Sequence, residues 1–158
     1  MNTWELLSFV LVTCVVGVLS GPWAALRRSI QSCGFEAFVV LVDRMNWGMA
    51  PVLTVLLPAA FLSLCVATFM ALSESNTIFL LNVAALLLLS ASLLLAAFVE
   101  VPIVKTIATW PAKLGVPKDW RRMRSRWLWV HGCRVALGFG SLVLVLISEA
   151  LSMRISKT

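Results

Sequence analysis

Glu100, His131 and Arg134 are ionisable residues set inside long apolar stretches. A charge within a bilayer costs upward of about 2.5 kcal/mol, so residues of this kind are functional candidates by default. A carboxylate, an imidazole and a guanidinium together can take a proton, return it, and hold a developing oxyanion. His131 and Arg134 stand three residues apart and share one helix face, which Trp127 and Arg124 continue toward the water. Asn46 and Trp47 fall at matching depth at the start of another apolar stretch, and Arg27 and Arg28 at the end of a third. Glu100, His131 and Arg134 are therefore the candidate catalytic residues. Trp127, Asn46, Trp47 and Arg124 are the candidate substrate-binding residues.

A second reading of the same residues needs no ligand. Pairing is the usual remedy for a buried charge. A Glu100–Arg134 ion pair would lock two helices together, His131 would be a satisfied interface histidine, and Arg124 and Arg126 would reach out to headgroup phosphates. The choice depends on helix rotation, which spacing does not fix. Metal chemistry is not expected: Cys133 stands two residues from His131 and points away from it on a helix, and a single histidine is thin for zinc or copper. No cofactor is expected either. There is no Gly-rich phosphate loop and no local signature of a Ser–His–Asp triad.

The elements that must position these residues follow from composition. The chain has 158 residues, 61% of them hydrophobic and 13% charged. Soluble domains carry about 25% charged residues, so this chain has too little polar surface to fold in water. A bilayer removes the problem. The first apolar stretch has no basic residue before it, so it reads as a retained span and not as a cleavable signal. Cys14, Cys33, Cys65 and Cys133 show no CxxC pattern, and no disulfide framework is expected.

A spanning helix needs about 20 largely uncharged residues. Spans are predicted at about 4–26, 46–72, 77–104 and 125–152, as an all-α four-helix membrane bundle in a single domain. An amphipathic connector helix is expected at about 29–44, because Phe35, Phe38, Val39 and Val42 recur at helical spacing between charged residues. From Pro117 a helix can run unbroken into the fourth span. Lys and Arg crowd the connectors 27–44 and 105–126, which the positive-inside rule places in the cytoplasm with both termini outside. Six of the seven tryptophans lie near that same side, so the polar residues read as gathered at one membrane face. Gly17-xxx-Gly21 and Gly132-xxx-Ala136-xxx-Gly140 suit close helix contact, within the bundle or across a homodimer seam.

The run Glu100-Val-Pro-Ile-Val-Lys105, then Trp110-Pro111, Pro117-Lys-Asp-Trp120, Arg124-Ser-Arg-Trp127 and His131-Gly-Cys-Arg134 resembles the anthrone oxygenase-like family of small four-helix membrane proteins. The elements match in order over about a third of the chain. Gly21-Pro22 and Met49-Ala-Pro51 agree more loosely, and Val104 departs from a position that is often polar in the family. The resemblance implies an integral membrane protein. Members of polyketide pathways oxidise anthrones to anthraquinones with O2, without metal or organic cofactor. It also implies His131 as base, Arg134 as oxyanion partner and Trp127 as a stacking wall.

Two functions are thus expected in rank order. One is a cofactor-independent oxygenase for a lipophilic polycyclic or quinone-like compound drawn from the bilayer. The other is a non-catalytic structural or accessory membrane subunit, as a homo-oligomer or with a partner membrane protein. Nucleic acid is not an expected partner, because the basic residues lie beside apolar spans. A transporter ranks below both, for want of an inverted repeat or broken-helix pair.

Overall fold

A helix that meets lipid must satisfy all its backbone groups within itself, and long uncharged stretches with few breakers can do so. The computed structural model describes residues 3–73, 75–110 and 115–155. Within them α1 covers Thr3–Ser32, α2 Phe35–Ala71, α3 Asn76–Leu95, α4 Val101–Ala108 and α5 Trp120–Ile155. A π turn, Ala96–Glu100, joins α3 to α4 without a gap. The third apolar helix therefore runs Asn76–Ala108, and four helices are long and apolar enough to cross a membrane. The expected all-α four-helix bundle is what the chain forms, and the described residues contain no strand. Pro111 and Lys113 of the expected linker, Glu74 of the turn before α3, and Lys157 lie outside the described residues.

The helices pack as a ring: α1 on α2, α2 on α3, α3 on α5, and α5 back on α1. The amphipathic stretch is helical as expected, but it is not a separate connector. The chain breaks only at Cys33–Gly34, and α2 runs from Phe35 through Asn46 and Trp47 into the span. No proline or glycine falls between Phe35 and Trp47, so nothing in the backbone ends a helix there. The amphipathic faces are as the spacing predicts. Phe38, Val39 and Val42 are buried, and Glu36, Asp43 and Arg44 are exposed. At the other connector Gly115 takes φ +95, a left-handed conformation suited to glycine, just before α5 begins.

Two apolar cores stack along the bundle. One, around Val15, Leu19, Leu64, Ala85, Leu89 and Val145, fills the middle and the end near the termini. The other, around Ile30, Phe38, Val42, Ile107, Trp110 and Trp127, fills the end near the basic connectors. Phe38 is its hub, with ring centroids 6.4, 6.4 and 6.3 Å from those of Trp110, Trp120 and Trp127. The glycines of α5 serve this packing. A Cβ on Gly132 would meet the Trp23 ring of α1 at 3.2 Å, and one on Gly140 would meet Leu88 of α3 at 3.0 Å. Gly17 and Gly21 instead face open space on the outside of the bundle. The four cysteines are unpaired thiols.

Candidate functional site

Glu100 closes the π turn, and Pro102 accounts for that turn. Proline has no N–H to give the Phe98 carbonyl, and its ring crowds that oxygen. The chain widens instead, so that the Val101 N–H bonds to Ala96 O, five residues back. Single π turns of this kind recur at functional sites. The extra residue turns Glu100 inward, where it is 7% exposed, while Phe98 faces outward.

Inside the bundle Glu100 meets both polar residues of α5. Its Oε1 lies 2.7 Å from His131 Nδ1, and its Oε2 accepts a hydrogen bond from Arg134 Nη1. His131 Nε2 lies 3.2 Å from the Leu19 carbonyl oxygen of α1. The sequence-predicted trio is thus one cluster, tied to three helices and buried at every member. The backbone of Arg134 is held as well, its carbonyl accepting from Ser92 Oγ at 3.4 Å.

The two nitrogens of His131 face two acceptors, the Glu100 carboxylate at 2.7 Å and the Leu19 carbonyl at 3.2 Å. The shorter contact favours Nδ1 as the donor to Glu100, while the Arg134 guanidinium donates to the other carboxylate oxygen. One acid thus faces two basic side chains of α5, the pairing that a buried carboxylate requires.

The cluster forms one wall of a cavity of about 380 Å³ between α2, the π turn with α4, and α5. That volume suits a small-molecule ligand. Met45, Asn46, Met49 and Leu53 of α2 face Ala97, Val101 and Val104 across it, with Trp127, His131 and Arg134 at the base. Thr54, Pro58, Ala97 and Val101 line it and are also exposed, so it opens sideways, at the depth of the apolar spans. Two residues of its α5 wall carry a buried donor without a partner among the described residues, Arg134 at Nε and Trp127 at Nε1. The Trp127 ring stacks on His131 at 5.5 Å and 19°.

The remaining candidates divide. Asn46 lines the cavity. Trp47 is 81% exposed and faces away from it. Arg124 lies in a different groove, donating to the Cys33 carbonyl at 2.8 Å with its guanidinium 4.9 Å from the Trp120 ring. Cys133 lines that second groove too. Among the described residues no group of three or more His, Cys, Asp or Glu comes together to hold a metal.

Sequence reasoning missed the other end of the bundle. The reading that polar residues gather at one face is corrected by Glu5, Ser8, Ser148, Glu149 and Ser152, all buried where α1 starts and α5 ends. Ser152 Oγ donates to Glu5 at 3.1 Å. The signal was present, since Glu149 interrupts the apolar run of α5 as plainly as His131 does. The Leu19 carbonyl was also missed, and no side-chain pattern marks a backbone acceptor.

Fold and site together define a four-span helical membrane bundle with a charged cavity open at span depth. No protein-family model, curated protein or solved structure matches the chain.

Proposed function

We propose that the cavity binds a flat lipophilic molecule through an oxygen atom and oxidises it with O2, in the manner of cofactor-independent anthrone-type oxygenases. The supporting observation is that two residues of the cavity wall, Arg134 and Trp127, carry buried donors, Nε and Nε1, without a partner among the described residues. Such groups favour an acceptor oxygen, and an enolate or phenolate oxygen on a polycyclic ring supplies one. The apolar, methionine-rich remainder of the cavity suits the rings.

The chemistry balances without a further reagent. The substrate's acidic C–H proton goes to the Glu100–His131 pair, and Arg134 holds the enolate oxygen. The enolate carbon gives electrons to O2 and forms a C–O bond, leaving a peroxide anion that the pair protonates. Water then leaves: the O–O bond breaks, the second C–H proton is lost, and a carbonyl remains. A methylene and O2 have become a ketone and water. His131 acts through its contact with Glu100, because both ring nitrogens already face acceptors. Trp127 walls the ring system, and Asn46 is a further polar contact.

A second reading has its own support. Both oxygens of Glu100 are engaged by α5, and His131 also reaches α1, an arrangement suited to a structural lock in a non-catalytic or accessory subunit. Oxygen uptake by the reconstituted protein with anthrone as probe separates the two. Uptake above that of protein-free vesicles, abolished by His131→Ala in a correctly inserted variant, is the expected result. Uptake equal to protein-free vesicles overturns the oxygenase reading. For orientation, the positive-inside rule supports basic connectors in the cytoplasm and both termini outside.

A further inference from the structure

The second groove lies between the end of α1 and the start of α5 and encloses about 630 Å³. Arg27 and Gln31 edge it from α1, and Arg124 and Ser125 from α5. None of the described residues that line it is acidic. Toward the bundle centre the lining changes character, and Gly132, Cys133 and Ala136 make a trough of small side chains along α5. From Arg124 to Ala136 the groove runs ~18 Å along the helix at about 1.5 Å per residue. Its axis therefore passes from a cationic mouth at the basic end to an apolar trough at span depth.

Trp23 forms part of the groove's wall. The absence of a side chain at Gly132 lets the Trp23 ring lie against α5, and the Arg27 guanidinium sits 4.8 Å above that ring. Trp23 lines the same groove, and its buried indole nitrogen, without a partner among the described residues, lies over Gly132. Two cations and a neutral amide offer donors along the groove, while the Ser125 hydroxyl already donates to the Arg121 carbonyl.

We propose that this groove holds one anionic phospholipid. Its phosphate headgroup lies between Arg27 and Arg124, with Gln31 as a further donor, and an acyl chain fills the trough past Gly132 and Ala136. Charge complementarity selects an anionic headgroup, as in other basic grooves between membrane helices. The polar-to-apolar gradient selects a lipid over a soluble phosphate, which would leave the trough unfilled.

The test uses the full chain in nanodiscs of mixed phosphatidylcholine and phosphatidylglycerol, extracted in mild detergent, with retained lipid counted by native mass spectrometry. One phosphatidylglycerol per chain, enriched over phosphatidylcholine, is expected. Arg27→Gln, which removes an exposed cation and its contact over the Trp23 ring, should lower that enrichment about fivefold. Arg124→Gln should do at least as much, but it also breaks the bond to Cys33. Arg27→Gln therefore keeps the test decisive if Arg124→Gln fails to fold. Equal retention of the two lipids, or enrichment unchanged by Arg27→Gln, overturns the proposal. So does binding of inorganic phosphate with no lipid preference.

Discussion

His131 Nδ1 sits 2.7 Å from Glu100 Oε1, and the contact depends on a turn of backbone that neither residue makes alone. Glu100 ends the π turn that precedes Pro102, and His131 lies mid-face on α5 between Trp127 and Arg134. Three features converge there: a proline that forces a wide turn, an acid carried inward by it, and a stripe of Trp127, His131 and Arg134 at i, i+4, i+7 on the opposing helix. Catalyst or lock, the cluster must satisfy the same electrostatics. Its members are therefore coupled, and the coupling is measurable.

The first prediction is that Glu100 and Arg134 fail additivity. Removing one partner of a buried pair strands the other and costs about 3 kcal/mol or more. Arg134→Ala and Glu100→Gln should each lower stability against denaturation in detergent. The double variant should lose less than the sum, with a coupling of about 1 kcal/mol or more. Purely additive losses would sink the pairing.

The second concerns Pro102. Alanine there restores an N–H for the Phe98 carbonyl and removes the ring that crowds it, so a regular α-helical turn becomes competitive. Closing the wide turn rotates Glu100 away from α5 by about 100°, one residue's helical step. Pro102→Ala should therefore shrink the Glu100–Arg134 coupling in the same thermodynamic cycle, although Pro102 is itself exposed. An undiminished coupling would show that the proline does not hold the turn.

Much of this was legible in the residues. Four spans follow from apolar length alone, since lipid leaves the backbone no alternative to helix. Glu100, His131 and Arg134 stood out because charge is rare in such stretches. Their meeting did not follow, because the π turn resets the rotation of everything after Ala96, and counting along an ideal helix misplaces Glu100. Arg124 and Trp47 share the depth of the cluster but face other ways, which sequence depth does not resolve. The fused connector escaped notice because a change from amphipathic to apolar pattern looks like a boundary, whereas the backbone of α2 continues through it.

The third prediction tests the proposed orientation. Lys118 and Asn76 are exposed near opposite ends of the bundle. In a background with the four cysteines replaced, Asn76→Cys should react with a membrane-impermeant maleimide on intact cells. Lys118→Cys should react only after permeabilisation. The reverse pattern would invert the topology and place the basic connectors outside.

The fourth separates ligand binding from helix locking at one atom. Trp127 packs against Phe38 and stacks on His131, so its ring is part of the basic-end core. Its indole N–H is buried without a partner, a state that carries a desolvation cost and no return in the empty bundle. Trp127→Phe keeps an aromatic ring and deletes that donor. If the N–H is there for a ligand oxygen, the variant should bind a lipophilic enol or phenol more weakly by about tenfold, the worth of one hydrogen bond of roughly 1.4 kcal/mol. Its loss of stability should stay small, since the smaller ring forfeits some packing while an unsatisfied donor is removed. Binding measured by ligand fluorescence quenching and stability by thermal melting in the same detergent would give both numbers. Weaker binding with near-normal melting assigns the indole to a ligand. Unchanged binding with a large melting loss leaves Trp127 as core, and the cavity would then have Arg134 Nε as its remaining partnerless donor.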